Sequence, residues 1–162
     1  MKKILFFSLI CLMALSVNAQ WVDLGLPSGT LWKSKNEKGE FYTYKQAVNK
    51  YGKHLPTKEQ LEELVTKCQW TWMGCGYKVV GPNGQSIYLP AAGYRSCDGG
   101  VNYVNSYGDY WSSTLFSGFA WRLYFFSGGA VHMNNSDQCY GRSIRLVKIK
   151  ACARKSASRG CN

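Results

Sequence analysis

A chain that recognises or transforms a ligand needs side chains that donate, accept, stack or attack. In this sequence such residues gather between Leu115 and Tyr140. Read as a β-strand, Phe119–Phe126 has a period of two. That places Trp121, Leu123 and Phe125 on one face and Arg122, Tyr124 and Phe126 on the other. Tyr and Arg suit binding surfaces because each combines a large contact area with a polar handle. The turn-rich run that follows adds His132, Asn134, Asn135, Asp137, Gln138 and Tyr140, whose side chains offer adaptable hydrogen bonds. The competing expectation is that these aromatics merely complete a small core.

Catalytic patterns are weaker. A nucleophile needs a base and a group to orient it, yet neither His54 nor His132 stands in a Ser/Asp arrangement. No Gly-rich phosphate loop occurs, and no cysteine pair has C-x-x-C spacing. Glu59, Glu62 and Glu63 fall on one helix surface, where such charges are ordinarily solvated. The expectation is a non-enzyme with no catalytic residues, no metal and no cofactor.

The elements that would carry these residues can be read from periodicity. Thr43 with Gln46 forms a capping box, and Tyr44, Ala47, Val48 and Tyr51 follow helical spacing up to Gly52. Thr57 with Gln60 opens a second helix through Leu61, Leu64, Val65 and Cys68. Beyond Cys68 the chain reads as short strands and turns. Tyr77–Val80 and Ser86–Leu89 flank a Pro82-Asn83-Gly84 hairpin signal. Asp109–Ser113, Phe119–Phe126, Ala130–Asn134 and Ser143–Ile149 complete the set, with a turn at Gly128-Gly129. The expected class is α+β: two helices packed on a small irregular antiparallel sheet.

Composition sets the frame. The 162 residues are 46% hydrophobic, 15% aromatic and 18% charged, with a net charge of +11. That suits one globular domain and argues against disorder, coiled coil and helix bundle. Lys2 and Lys3, an apolar run to Leu15, and Ser16-Val17-Asn18-Ala19 form the pattern of a signal peptide over residues 1–19. The apolar run of about a dozen residues falls short of the ~20 that span a bilayer. The chain is therefore expected to be exported, to the periplasm, the cell surface or the exterior. Cleavage would leave Cys68, Cys75, Cys97, Cys139, Cys152 and Cys161, an even number that permits up to three disulfides of undetermined pairing. Arg142, Arg145, Lys148, Lys150, Arg154, Lys155 and Arg159 have no acidic residue among them. Residues 151–162 read as a basic tail able to approach an anionic envelope surface. An exported chain seldom meets nucleic acid, so none is expected as a partner.

Several phrases carry a resemblance. They are Trp21-Val-Asp-Leu-Gly-Leu-Pro-Ser-Gly-Thr-Leu-Trp32, Leu55-Pro-Thr-Lys-Glu-Gln-Leu-Glu-Glu-Leu64 and Gly81-Pro-Asn-Gly84 with Ile87-Tyr-Leu-Pro-Ala-Ala-Gly-Tyr-Arg95. Tyr110-Trp-Ser-Ser113 and Gly141-Arg-Ser-Ile-Arg-Leu-Val147 follow in order. Together they resemble the Fibrobacter succinogenes major paralogous domain, common in exported proteins of gut Bacteroidetes, over about Trp21 to Val147. The resemblance implies a C-type-lectin-like fold over residues 20–150, similar to variable proteins of diversity-generating retroelements. Thr114–Tyr140 is the stretch corresponding to their variable region. Leu123 and Phe125 belong to the implied framework, so their face is assigned to the core, leaving Arg122, Tyr124 and Phe126 for a partner. The short segment after Trp32 and the tail after Lys150 depart from the family pattern. Calcium-dependent sugar binding is not expected, because Gly81 precedes Pro82-Asn83 where a carboxylate would be needed, and Asn134–Asp137 supplies only one.

The functional expectation is an exported recognition module for a protein or carbohydrate ligand. Its ligand-binding residues would be Arg122, Tyr124, Phe126, His132, Asn134, Asp137, Gln138 and Tyr140. The alternative is a structural or adhesive component of the cell envelope.

Overall fold

A computed structural model describes residues 20–150 apart from Glu40. Residues 1–19, expected to be a signal peptide, and the basic segment 151–162, with Cys152 and Cys161, lie outside the described residues. In chain order the strands and helices are β1 (Trp21–Asp23), β2 (Thr30–Lys33), α1 (Tyr44–Tyr51), α2 (Lys58–Lys67), β3 (Gln69–Trp72), β4 (Gly76–Val80) and β5 (Ser86–Pro90). They continue with β6 (Tyr94–Arg95), β7 (Val101–Asn102), β8 (Tyr107–Phe116), β9 (Phe119–Phe126), β10 (Val131–Ser136) and β11 (Val147–Ile149).

The expected two helices on one sheet, and with them the C-type-lectin-like α+β class, are overturned. Eleven strands pair into four small sheets among the described residues, and the helices are only 8 and 10 residues long. The architecture is mainly β. Sheet orders are β1-β2-β11, β3-β4-β5, β6-β7 and β10-β9-β8. The physical reason lies in the five unanticipated strands, β1, β2, β3, β6 and β7. Each has two to four residues, too few for a period-two pattern to show. One of their pairings also joins segments far apart in sequence, as when β2 takes β11.

Both capping boxes form, at Thr43/Gln46 and Thr57/Gln60. Gly52 has φ 46° and donates to the Val48 carbonyl, then continues into a 3-10 turn, Gly52–His54. The β4–β5 hairpin pairs around Pro82-Asn83-Gly84 as expected. Among the described residues, Cys97 and Cys139 form a disulfide, while Cys68 and Cys75 are unpaired. Burial pushes the Cys68 thiol up to about 11.

The long antiparallel sheet β8-β9-β10 organises the molecule because it packs on both sides. Its inner face puts Tyr110, Leu123 and Phe125 into a core shared with Leu61 and Leu64 of α2 and Tyr77, Val79, Ile87 and Leu89 of β4–β5. A Cβ on Gly108 would lie 2.1 Å from the Phe125 ring, so glycine there lets the ring lie flat on the strand. The outer face is covered at one end only. There Trp111 and Ala120 join Tyr44 and Ala47 of α1, Leu55, Ile144 and Leu146 in a second core. Between Trp111 and Leu115 the register with β9 shifts at a bulge.

The segment after β10 closes the outer side. Gly141 and Arg95 exchange backbone hydrogen bonds at 2.8 and 2.9 Å, and Arg142 does the same with Tyr42 at 3.0 Å. A Cβ at residue 141 would meet the Cβ atoms of Phe41 at 2.9 Å and Arg95 at 3.0 Å, so the approach requires glycine. Arg142 and Arg145, which the charge pattern grouped with a basic tail, are 2% and 1% exposed. Buried cations must be paired or hydrogen-bonded, and the two arginines meet that demand differently.

Candidate functional site

Cross-strand register decides which side chains share the outer face. Tyr107, Asp109 and Trp111 of β8 stand opposite Phe126, Tyr124 and Arg122 of β9. His132 and Asn134 of β10 stand opposite Tyr124 and Arg122. The face therefore grades from a dry aromatic core at Trp111, through a buried charge cluster, to exposed rings at Phe126.

Asp109 sits at the centre of that gradient. It is 1% exposed, with Arg122 Nη1 3.2 Å and Arg142 Nε 2.8 Å from its Oδ2. Arg122 Nη1 also donates to the Tyr107 hydroxyl at 2.5 Å, and Arg142 Nη2 donates to Ser136 Oγ at 2.9 Å. The Arg142 guanidinium lies 3.9 Å from the centre of the Trp111 ring and 5.1 Å from that of Tyr140. Arg122 lies 4.3 Å over Tyr124. These cation–π contacts hold the guanidinium planes in place.

Burial pushes the Asp109 carboxyl up, against the pull of Arg142 and Arg122. Burial lowers Arg142, with Asp109 opposing it. At Arg122 burial also pulls downward, but Asp109 and Tyr107 outweigh it and the net shift is upward. Burial takes the Tyr107 phenol up to about 12, so it remains a neutral hydroxyl at ordinary pH.

Hydrogen bonding in this cluster is incomplete. Five buried side-chain polar atoms among the described residues lack a hydrogen-bond partner, and four belong to these three side chains: Asp109 Oδ1, Arg122 Nε, Arg142 Nε and Arg142 Nη1. The fifth is Trp32 Nε1. Arg142 Nε is thus in ionic contact with Asp109 without an aligned hydrogen bond. Buried polar atoms are nearly always satisfied by protein or by ordered water, so such a concentration marks a place where water or another small polar group completes the bonding. The three side chains line a pocket of about 150 Å³, together with Tyr94, Tyr107, Ser136 and Tyr140. Three larger concavities, about 550 Å³ beside Tyr42 and Lys50, about 580 Å³ along Lys33–Lys38 and about 230 Å³ between Phe41 and Val104, are lined by none of the residues that carry the unpartnered atoms.

Aromatic rings continue outward from the pocket. Tyr94 stacks on Tyr103 with centroids 6.1 Å apart, and Tyr107 contacts Phe126 at 4.7 Å and Tyr124 at 5.9 Å. Tyr124 stacks in turn on His132 at 5.2 Å. The Cys97–Cys139 disulfide joins the β6–β7 hairpin to the segment bearing Tyr140 and Arg142.

The expected site residues separate into two groups. Arg122, Tyr124, Phe126, His132 and Asn134 share the outer face, and Tyr140 lines the pocket beside Arg142. Asp137 is exposed in the segment after β10 and does not line the pocket. Gln138 donates to the Gly118 carbonyl at 2.7 Å, which ties it to the β8–β9 turn. Tyr94, Tyr107, Asp109, Ser136 and Arg142 are additions that sequence reasoning missed. A signal for two of them was present: Asp109 is a lone carboxylate in an aromatic strand, and Arg142 precedes an apolar alternation.

No curated protein and no solved structure matches the chain. Residues 78–147, which hold every side chain lining this pocket, match the family described as a domain of unknown function, DUF8237.

Proposed function

We propose that this chain is an exported recognition module that binds a protein or glycan ligand on the outer face of β8-β9-β10. The observation that carries the reading is the group of four unpartnered polar atoms on Asp109, Arg122 and Arg142 beneath a rim of exposed aromatic rings. A ligand supplies what the chain leaves unpaired and stacks on what it leaves uncovered. The ordered phrases resembling the Fibrobacter succinogenes major paralogous domain, the signal-like segment 1–19 and the Cys97–Cys139 disulfide support the exported setting.

The test is binding of the full chain to an array of glycans and to surface proteins of neighbouring bacteria, at low and high salt. Selective, salt-tolerant binding that Tyr124→Ala abolishes in a folded protein is the expected result. Diffuse binding that disappears with salt would mean that net charge alone is responsible, and would move the chain to the structural or adhesive class.

A further inference from the structure

We infer that the pocket over Asp109 takes the acidic end of a glycan: a sugar carboxylate with a neighbouring hydroxyl, its ring lying against the aromatic rim. The inference rests on the recognition reading above and specifies its ligand. Charge is the first argument. Two guanidiniums share one carboxyl, so the cluster carries at least one uncompensated positive charge whichever protonation state Asp109 adopts. A nearly buried excess charge is costly without a counter-charge. A ligand anion in the pocket supplies one.

Hydrogen-bond complementarity narrows the anion. Arg122 Nε and Arg142 Nη1 are donors without acceptors, while Asp109 Oδ1 is an acceptor without a donor. Sulfate and fully ionised phosphate offer acceptors only, and would place oxygen against oxygen at Asp109. A ring carboxylate with a hydroxyl one carbon further along, as the C6 carboxylate and C4 hydroxyl of a uronate, answers both needs, with its carboxylate oxygens toward the guanidiniums and its O–H toward Asp109. Volume agrees. About 150 Å³ corresponds to roughly five waters at ~30 Å³ each. That accommodates the carboxylate, the ring carbon bearing it and the next hydroxyl, but leaves most of a sugar ring outside. The ring then meets the Tyr94, Tyr107 and Tyr140 walls and the Tyr124–His132 stack beyond them.

Titration calorimetry of the full chain with D-glucuronate, D-glucuronamide, D-glucose, glycolate and inorganic sulfate tests this. Glucuronate is expected to bind saturably, with glucuronamide and glucose weaker by about tenfold or more, the scale of one lost charge-assisted interaction. Glucuronate against glucuronamide puts the question without altering the protein. Arg122→Gln, shown folded by near-UV circular dichroism, should lower glucuronate affinity by a similar factor. Tyr124→Ala should weaken glucuronate more than glycolate. Equal affinity for glucuronate and its amide overturns the inference, as does sulfate competing as well as glucuronate. Glycolate binding as tightly as glucuronate overturns the assignment to a sugar. A neutral glycan bound on the array in a Tyr124-dependent manner, with no response to glucuronate, sinks the inference and leaves the recognition reading standing. Failure of every array ligand and every probe removes both.

Discussion

Arg145 and Arg142 are three residues apart and almost equally buried, yet their surroundings have little in common. Among the described residues, Arg145 forms no ion pair with a carboxylate. Its Nε donates to Asn36 Oδ1 at 2.8 Å, Nη1 to the Lys33 carbonyl at 2.8 Å and Nη2 to the Tyr88 carbonyl at 2.6 Å. Each nitrogen of the guanidinium thus has an acceptor, and the side chain clamps the end of β2 and the segment after it to β5. Burial lowers its pKa to about 10, which records how fully it has left water. Arg142 has a carboxylate 2.8 Å from Nε but only one aligned hydrogen bond, from Nη2 to Ser136, and its Nη1 has no acceptor. Burial alone therefore does not separate scaffold from site. Saturation does: a guanidinium with every nitrogen engaged is architecture, and one with a spare donor beside a pocket is free to meet the ligand proposed above.

That contrast can be broken most directly at Arg145. Arg145→Ala strands three acceptors and opens a cavity, and should cost about 4 kcal/mol or prevent folding; a urea midpoint close to that of the parent would refute the clamp. Asp109→Asn comes next, at about 3 kcal/mol, because it leaves two buried guanidiniums without a counter-charge. Adding Arg142→Met to Asp109→Asn should recover about half of that loss, since an apolar side chain of similar length removes the more deeply buried of the two orphaned charges and leaves that of Arg122. Additive losses in the double variant would show Arg142 to be a second clamp. Arg122→Gln should lower stability by only about 1 kcal/mol, read by thermal unfolding, while weakening glucuronate binding by about tenfold. The smallest change is expected for Tyr124→Ala, within about 1 kcal/mol, because its ring packs on the outer face and belongs to neither core cluster.

The parts of this arrangement that were legible in the sequence are those governed by local periodicity. Alternation in Phe119–Phe126 placed Arg122, Tyr124 and Phe126 on one face and Leu123 and Phe125 on the other, and the strand occupies those residues. Hydroxyl–amide pairs three residues apart located both helix starts. The sheet content was not legible, because strands such as Tyr94–Arg95 and Val101–Asn102 are defined by their partners and not by a pattern of their own. Nor was the charge cluster. Asp109, Arg122 and Arg142 come from three segments, and Arg142 is brought in by the backbone bridge to Tyr42 and by the close approach at Gly141. Asp137 and Gln138 were drawn in by neighbourhood in sequence, but the chain turns them away from the pocket.

The alternation along β9 and β10 also bears on how this surface can change through evolution or in the laboratory. Core-facing Leu123 and Phe125 have no exposure, whereas Phe126 is 52% exposed and neither Tyr124 nor His132 enters a core cluster. Substitutions at the outward positions therefore act on affinity almost independently of those that set folding. A library randomised at positions 124, 126, 132 and 134 should yield mostly folded proteins with altered ligand preference. The same diversity placed one residue along each strand would yield mostly unfolded ones.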